Sequence, residues 1–317
     1  MTHPAPPSPH PIHWLHHAGQ HLGLVPSLGG GVAAWQLDHA QSPMQDPKQS
    51  PLDLWRPWDG NNPDRYTLAS FPMVPWSNRI SGAGFAQDGQ FHPIAPNRVG
   101  EPYPIHGDGW LQPWTLTRPA RDTLVMTLES HQFEGNPYDY QATQRFVLRR
   151  DGMDQTLSVT HTGTRPLPYG LGQHPWFLRS PRTRLSAPVT GVWLSGADPL
   201  PTAHATEFPP TWDLNAGMDV NGTLVDNAFT GWSGQACIDF PDQQLQLVMR
   251  VPELLDEGRA DGYCLLYRPP HGPAFCFEPV THPIDAFHVP GQPGLRVLRP
   301  GETLTLHVQW RFKFANE

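Results

Sequence analysis

Near its C-terminal end the chain alternates strictly. Leu304, Leu306, Val308, Trp310, Phe312 and Phe314 interleave with Thr305, His307, Gln309, Arg311 and Lys313. A period of two describes a strand with one face in a core and the other toward water, and it fits a large antiparallel sheet. The same alternation marks Leu124, Met126 and Leu128 against Val125 and Thr127, and it continues through residues 145–148 and 157–160. Residues 244–251 and 263–267 predict further strands. Residues 12–37 predict strand, turn and strand, with Pro26-Ser27-Leu28-Gly29-Gly30-Gly31 as the turn. A strand is expected to run through Phe240, with Asp226-Asn227-Ala228-Phe229-Thr230-Gly231-Trp232 preceding it. Residues 41–62, 71–85, 93–110 and 181–222 read as loops, and one short helical turn is expected within 253–261. With no internal repeat and no linker, the pattern predicts an all-β fold. We expect one large antiparallel β-sandwich domain over residues 12–317, behind a disordered tail at residues 1–11.

Composition supports many short strands. The 39 prolines and 29 glycines are scattered along the chain rather than clustered. Charged residues make up 16 %, the formal net charge is −8, and Lys48 and Lys313 are the only lysines. Nothing forms a basic stripe, which excludes nucleic acid as an expected partner. No apolar run approaches the ~18 residues of a membrane span. Cys237, Cys264 and Cys276 are odd in number and lack paired spacing, so free thiols in a reducing compartment are expected. The Pro- and His-rich start has no apolar h-region and does not read as a signal peptide. A cytoplasmic protein is therefore expected. The 12 tryptophans suit either a core or the C–H face of a sugar. His13, His16, His17 and His21 fit no zinc spacing and read as polar positions at strand edges.

Candidate chemistry begins at Phe275-Cys276-Phe277-Glu278-Pro279. On a strand, Phe275 and Phe277 face a core, while Ala274, Cys276 and Glu278 face the other way. The two small residues leave room beside the acid. The plain alternative is a surface glutamate that closes a strand before Pro279 stops further pairing. In Pro168-Tyr169-Gly170-Leu171-Gly172-Gln173-His174, the same rule puts Gly170, Gly172 and His174 on one face, and glycine within a strand often marks a close approach. Arg79 and His106 sit in loops punctuated by proline and glycine, and Asp226 adds a second acid. As ligands these groups suit Zn²⁺ or Fe²⁺, but no His-x-His or Glu-x-x-His cluster supports a metal. A carboxylate base and a histidine acid flanking a substrate make better sense of them.

Six ordered pieces carry a family resemblance. They are Asn78-Arg79-Ile80 with Gly82 and Phe85; Ile105-His106-Gly107; and Gly172-Gln173-His174-Pro175-Trp176-Phe177. Asp226-Asn227-Ala228-Phe229-Thr230-Gly231-Trp232, Glu278-Pro279 and Leu298-Arg299-Pro300-Gly301-Glu302 complete the set. Together they resemble the aldose 1-epimerases, or galactose mutarotases. The resemblance implies a β-supersandwich with a concave sugar-binding face. It implies that Glu278 is general base on the anomeric hydroxyl and His174 general acid on the ring oxygen. It further implies that Asn78, Arg79, His106 and Asp226 bind the sugar, with a monosaccharide as substrate and no cofactor or metal. Glu278 is expected ionised and His174 protonated at rest, an adjacent carboxylate raising the histidine and an arginine such as Arg79 keeping the carboxylate charged.

Two departures leave the sugar open. Tyr267-Arg268 occupies the region where relatives carry a sugar-contacting glutamine, and Trp176 stands where many have tyrosine. A hexose-6-phosphate mutarotase using Arg79, Arg98 or Arg268 for the phosphate, and a non-catalytic sugar-binding protein, are the alternatives. A monomer or homodimer is expected.

Overall fold

In the computed structural model, which describes residues 9–38 and 50–314, antiparallel strands make up most of the regular structure. Among the described residues, Pro252–Asp256 is the one α-helix, starting one residue before the segment 253–261 expected to hold a helical turn. Residues 1–8 of the expected tail, and residues 41–49 of the expected loop, lie outside the described residues.

Two large sheets carry the architecture. In the nine-stranded sheet, Thr303–Phe314 lies between Gly152–His161 and Leu245–Arg250, with Trp310 opposite both Met153 and Met249. Its alternation is realised directly: Leu306, Val308, Trp310, Phe312 and Phe314 are buried. The eight-stranded sheet runs Pro201–Ala205, Gly191–Ser195, Val225–Trp232, Gly262–Arg268, Ala274–Val280, Gly172–Gln173, Pro72–Met73, and Trp176–Leu178 also pairs with Ala274–Val280. Its inner face sends Phe229, Leu266, Phe275 and Phe277 into the same core as Trp310 and Val308. Each such side chain contributes roughly 1.5–3 kcal/mol of burial free energy.

A four-stranded N-terminal sheet is joined to this core by tryptophan. Trp55 lies edge-on to Trp35 (5.3 Å between ring centroids) and to Trp310 (5.2 Å). The Trp35 and Trp310 indole N–H groups donate to Gln20 Oε1 and Gln155 Oε1, both at 3.1 Å, so the rings are buried with their polar ends satisfied. Most tryptophans thus serve the core.

The structure corrects several local expectations. Residues 12–37 hold three strands, His13–His17, Gln20–Val25 and Gly31–Leu37. The extra reversal falls at Ala18 and Gly19, with φ of 49° and 69°, the positive pair that a two-residue hairpin demands. The stretch around Asp226 is itself the strand Val225–Trp232, its outward Asp, Thr and Gly having hidden the alternation. Residues 181–222 contain four short strands. Pro279 does not end its strand, which continues to Val280; proline forfeits only its own donor.

Candidate active site

Strand register assembles the site. Trp176 lies opposite Cys276, Cys276 opposite Tyr267, and Tyr267 opposite Asp226. Cross-strand partners share a face, so these four side chains cross the outer face of the eight-stranded sheet in a row. Glu278 follows two residues after Cys276 on the same face. Of these, Trp176, Tyr267, Asp226 and Glu278 line a cavity of about 440 Å³ together with His174 and the loops that carry Asn78, Arg79 and His106, while Cys276 is fully buried. All six residues singled out as candidate sites border it: Asn78, Arg79, His106, His174, Asp226 and Glu278.

The space beside the two central groups is used by the protein itself. A β-carbon at Gly170 would lie 2.0 Å from His282 Cδ2, and one at Gly172 would lie 2.5 Å from Met73 Cε. The segment also breaks into the separate strands Leu167–Tyr169, Gly172–Gln173 and Trp176–Leu178, so the single-strand reading of Gly170, Gly172 and His174 does not hold. Beside Ala274 and Cys276, the room is filled by Trp176, with Tyr66 and Tyr267 packed around it.

His174 and Glu278 meet at the floor of the cavity. His174 Nε2 lies 3.4 Å from Glu278 Oε1, and the two residues are 4 % and 2 % exposed. Phe71 stacks on the imidazole at 4.4 Å, with Tyr66 and His106 edge-on at 5.6 and 5.2 Å. This apolar enclosure penalises charge on either partner. Burial pulls the His174 pKa down to about 3, and burial, reinforced by Asp226, pushes the Glu278 carboxyl well above its usual range. The expected resting ion pair is therefore corrected. Arg79 does act on Glu278 in the expected direction, but burial outweighs it. Glu278 Oε2 and His174 Nδ1 have no hydrogen-bond partner among the described residues.

His106 is presented in an unusual way. Its backbone φ is 61° and that of Asn78 is 53°, left-handed values that cost non-glycine residues of order 1 kcal/mol. The two residues hold one another. The Asn78 backbone N–H donates to His106 Nδ1 (3.1 Å), and the His106 backbone N–H donates to Asn78 O (3.0 Å). With Nδ1 accepting and burial holding the ring neutral, the ring proton sits on Nε2. Gly107 next to it must be glycine: φ is 71°, and a β-carbon would lie 2.0 Å from Val74 O. Behind the loop, buried Asp108 accepts from Asn136 Nδ2 (2.7 Å), Ser130 Oγ (3.1 Å) and the Tyr140 hydroxyl, and burial raises its pKa to about 6.

Arg79 is clamped between acids. Its Nε and Nη2 donate to the two oxygens of Glu101 (2.9 and 3.2 Å), and Nη1 donates to Asp226 Oδ2 (3.3 Å). Glu101, Tyr66, Arg98 and Tyr267 complete the wall. Arg98 stacks on the Tyr66 ring at 3.6 Å, 3.5 Å from Asp64. Glu101 and Tyr66 escaped the sequence reading because one stands in an irregular loop and the other in the short 3-10 turn Arg65–Thr67, where no periodicity assigns a direction to a side chain. Arg268 is fully buried and donates to the carbonyls of Asp219 (2.8 Å) and Thr223 (2.9 Å), which removes it as a phosphate ligand. Although no metal site was expected, a ring nitrogen of His174, Cys276 Sγ and a Glu278 oxygen all lie within 4.8 Å of one another.

Comparison with known proteins agrees with this architecture. The family model described as Aldose 1-epimerase matches residues 24–311. The Escherichia coli K12 protein YphB, described as uncharacterized, is 33 % identical over 252 residues, covering 76 % of this chain and 83 % of that protein. A crystal structure from Escherichia coli K12, provisionally named an aldose 1-epimerase, superposes with a TM-score of 0.84 at 29 % identity, covering 96 % of this chain and 99 % of the other. A galactose mutarotase-like protein from Clostridium acetobutylicum shares the fold at a TM-score of 0.79 and 15 % identity, covering 96 % of each chain.

Proposed function

The chain belongs to the aldose 1-epimerase family, and from that premise we propose that it interconverts the α and β anomers of a free hexose, with Glu278 and His174 as the acid–base pair. One observation carries this reading: the two groups share the floor of a cavity of sugar size and lie 3.4 Å apart.

The pair works with one proton between its two members. To open the ring, ionised Glu278 takes the proton from the anomeric hydroxyl while protonated His174 gives one to the ring oxygen. The C1–O5 bond breaks and C1 becomes an aldehyde. Glu278 is now neutral and so is His174, which is the arrangement that burial favours. Rotation about C1–C2 turns the aldehyde over. For closure the roles reverse: His174 takes the proton from the C5 hydroxyl, and Glu278 returns one to the former carbonyl oxygen. Both arrangements of the shared proton are on the path. Sugar oxygens that hydrogen-bond to the charged forms offset the cost of separating charge in a buried site. Each positioned group supplies on the order of 10²–10⁴-fold, enough for a reaction that water already performs slowly.

The remaining residues orient the ring. His106 offers an Nε2–H donor, Asn78 supports it, and Asp226 and Arg79 present an acceptor and donors held in place by their own ion pair. The clamp on Arg79 and the buried position of Arg268 weigh against the 6-phosphate alternative. Proton NMR of freshly dissolved α-glucose, α-galactose and α-glucose 6-phosphate tests the assignment. The free sugars are expected to reach anomeric equilibrium faster with protein. A protein that binds them without speeding exchange is the non-catalytic alternative.

A further inference from the structure

We propose that His174, Cys276 and Glu278 form a binding site for a soft divalent cation of the Zn²⁺ class, and that an ion held there blocks the cavity floor. Only the consequence for catalysis rests on the proposed epimerase activity; the binding stands on geometry.

The donor atoms converge. A His174 ring nitrogen, Cys276 Sγ and a Glu278 oxygen lie within 4.8 Å of one another, and all three residues are buried. Zn²⁺ ligands at 2.0–2.3 Å stand ~3.5 Å apart around a tetrahedral ion, so side-chain rotations of about an ångström complete the set. Glu278 Oε2 is an unpartnered polar atom on a residue only 2 % exposed, and a cation would give it the partner that the described residues do not. The cavity lined by His174 and Glu278 supplies an entry path and leaves a fourth position for water. Three protein ligands and one exchangeable position suit Zn²⁺.

Charge and softness choose the ion. Binding to a neutral thiol, a neutral carboxyl and a neutral imidazole forms metal–S, metal–O and metal–N bonds and releases two protons to solvent. The product has no net charge, which suits an enclosed apolar setting better than an unpaired ion does. A thiolate in the set favours Zn²⁺ and Co²⁺ over the hard cations Mg²⁺ and Ca²⁺. Because protons leave, the site tightens as pH rises. An ion there takes both groups assigned to proton transfer, so inhibition by Zn²⁺ competes with sugar.

Chelator-stripped protein titrated with Co²⁺ tests this without any sugar. The expected result is a thiolate-to-cobalt charge-transfer band in the near ultraviolet, reversed by Zn²⁺ and absent in Cys276→Ser. In the anomerisation assay, Zn²⁺ is expected to inhibit the wild type at a concentration roughly tenfold or more below that needed for Cys276→Ser. Should Cys276→Ser fail to fold by circular dichroism, Cys276→Ala replaces it in both measurements. Co²⁺ binding without a thiolate band, as the exposed pair His16 and His21 would give, overturns the proposal, as does a band that survives loss of the thiol. Because the band is read without sugar, its presence or absence decides the metal site whether or not the protein proves to be an epimerase.

Discussion

His174 Nε2 lies 3.4 Å from Glu278 Oε1 in a setting that leaves both residues almost without solvent contact. In the proposed mechanism the pair carries one proton, held by one member at a time. Glu278→Gln and His174→Asn are each expected to lower kcat by on the order of 10²–10⁴-fold. The double variant is expected to lose little more than the worse single one, because the groups act as a unit. Rates that multiplied would show independent roles.

The pH profile follows from the direction of the two shifts. Acid removes activity by adding a second proton to the pair, and His174 resists that down to about 3. Alkali removes activity by taking the one proton away, above the raised carboxyl of Glu278. The profile of kcat/KM is expected to show no acid limb in the range where a free imidazole titrates. An acid limb near the ordinary histidine value of ~6.5 would contradict this.

The same burial costs stability. The folded Glu278 carboxyl keeps its proton well above the pH at which the unfolded chain releases it, so any stability it contributes is present at acid pH and is lost as pH rises through its raised value. Glu278→Gln removes the titration. The variant is expected to melt a few degrees above wild type at neutral pH, with the gap narrowing toward pH ~4. Differential scanning calorimetry across that range measures it. A gap that stays constant with pH would place the effect elsewhere.

Gly107 controls where His106 points. Gly107→Ala sets a β-carbon against Val74 O in a left-handed backbone, a cost of about 1–3 kcal/mol. The melting temperature is expected to fall, and KM for sugar to rise more than kcat falls. A change in kcat alone would argue against a positioning role for this loop.

Glu101 sets the charge that Arg79 shows to a ligand. Glu101→Gln breaks a bidentate pair and leaves Arg79 held by Asp226 and the Asn78 side-chain oxygen. KM for neutral hexose is expected to rise with little change in kcat, and the relative use of glucose 6-phosphate to increase. Unchanged preference between the two sugars would show that Arg79 does not read this part of the substrate.

Much of the fold was legible because half-buried strands announce themselves. Thr303–Phe314 and Thr123–His131 alternate, and their inward residues are the buried ones. Val225–Trp232 was not legible, since Asp226, Thr230 and Gly231 break the alternation where the strand faces the cavity or bends. The six candidate residues that the ordered motifs singled out border one cavity, but their protonation was not legible. A charge beside an acid suggests an ion pair in sequence, whereas here the surrounding Phe71, Tyr66 and His106 rings decide the outcome. Glu101 was hidden for another reason: it reaches Arg79 from a loop, and only three-dimensional packing brings the two together.

Polarimetry on freshly dissolved α-glucose and α-galactose, with wild type beside Glu278→Gln, is the sharpest test of Glu278 as the base of an anomerase. Wild type is expected to speed relaxation of at least one sugar. The Gln variant, folded and still binding sugar, is expected to relax it at close to the rate of buffer alone. Full rate in Glu278→Gln, or no acceleration of either sugar by wild type, would contradict that assignment.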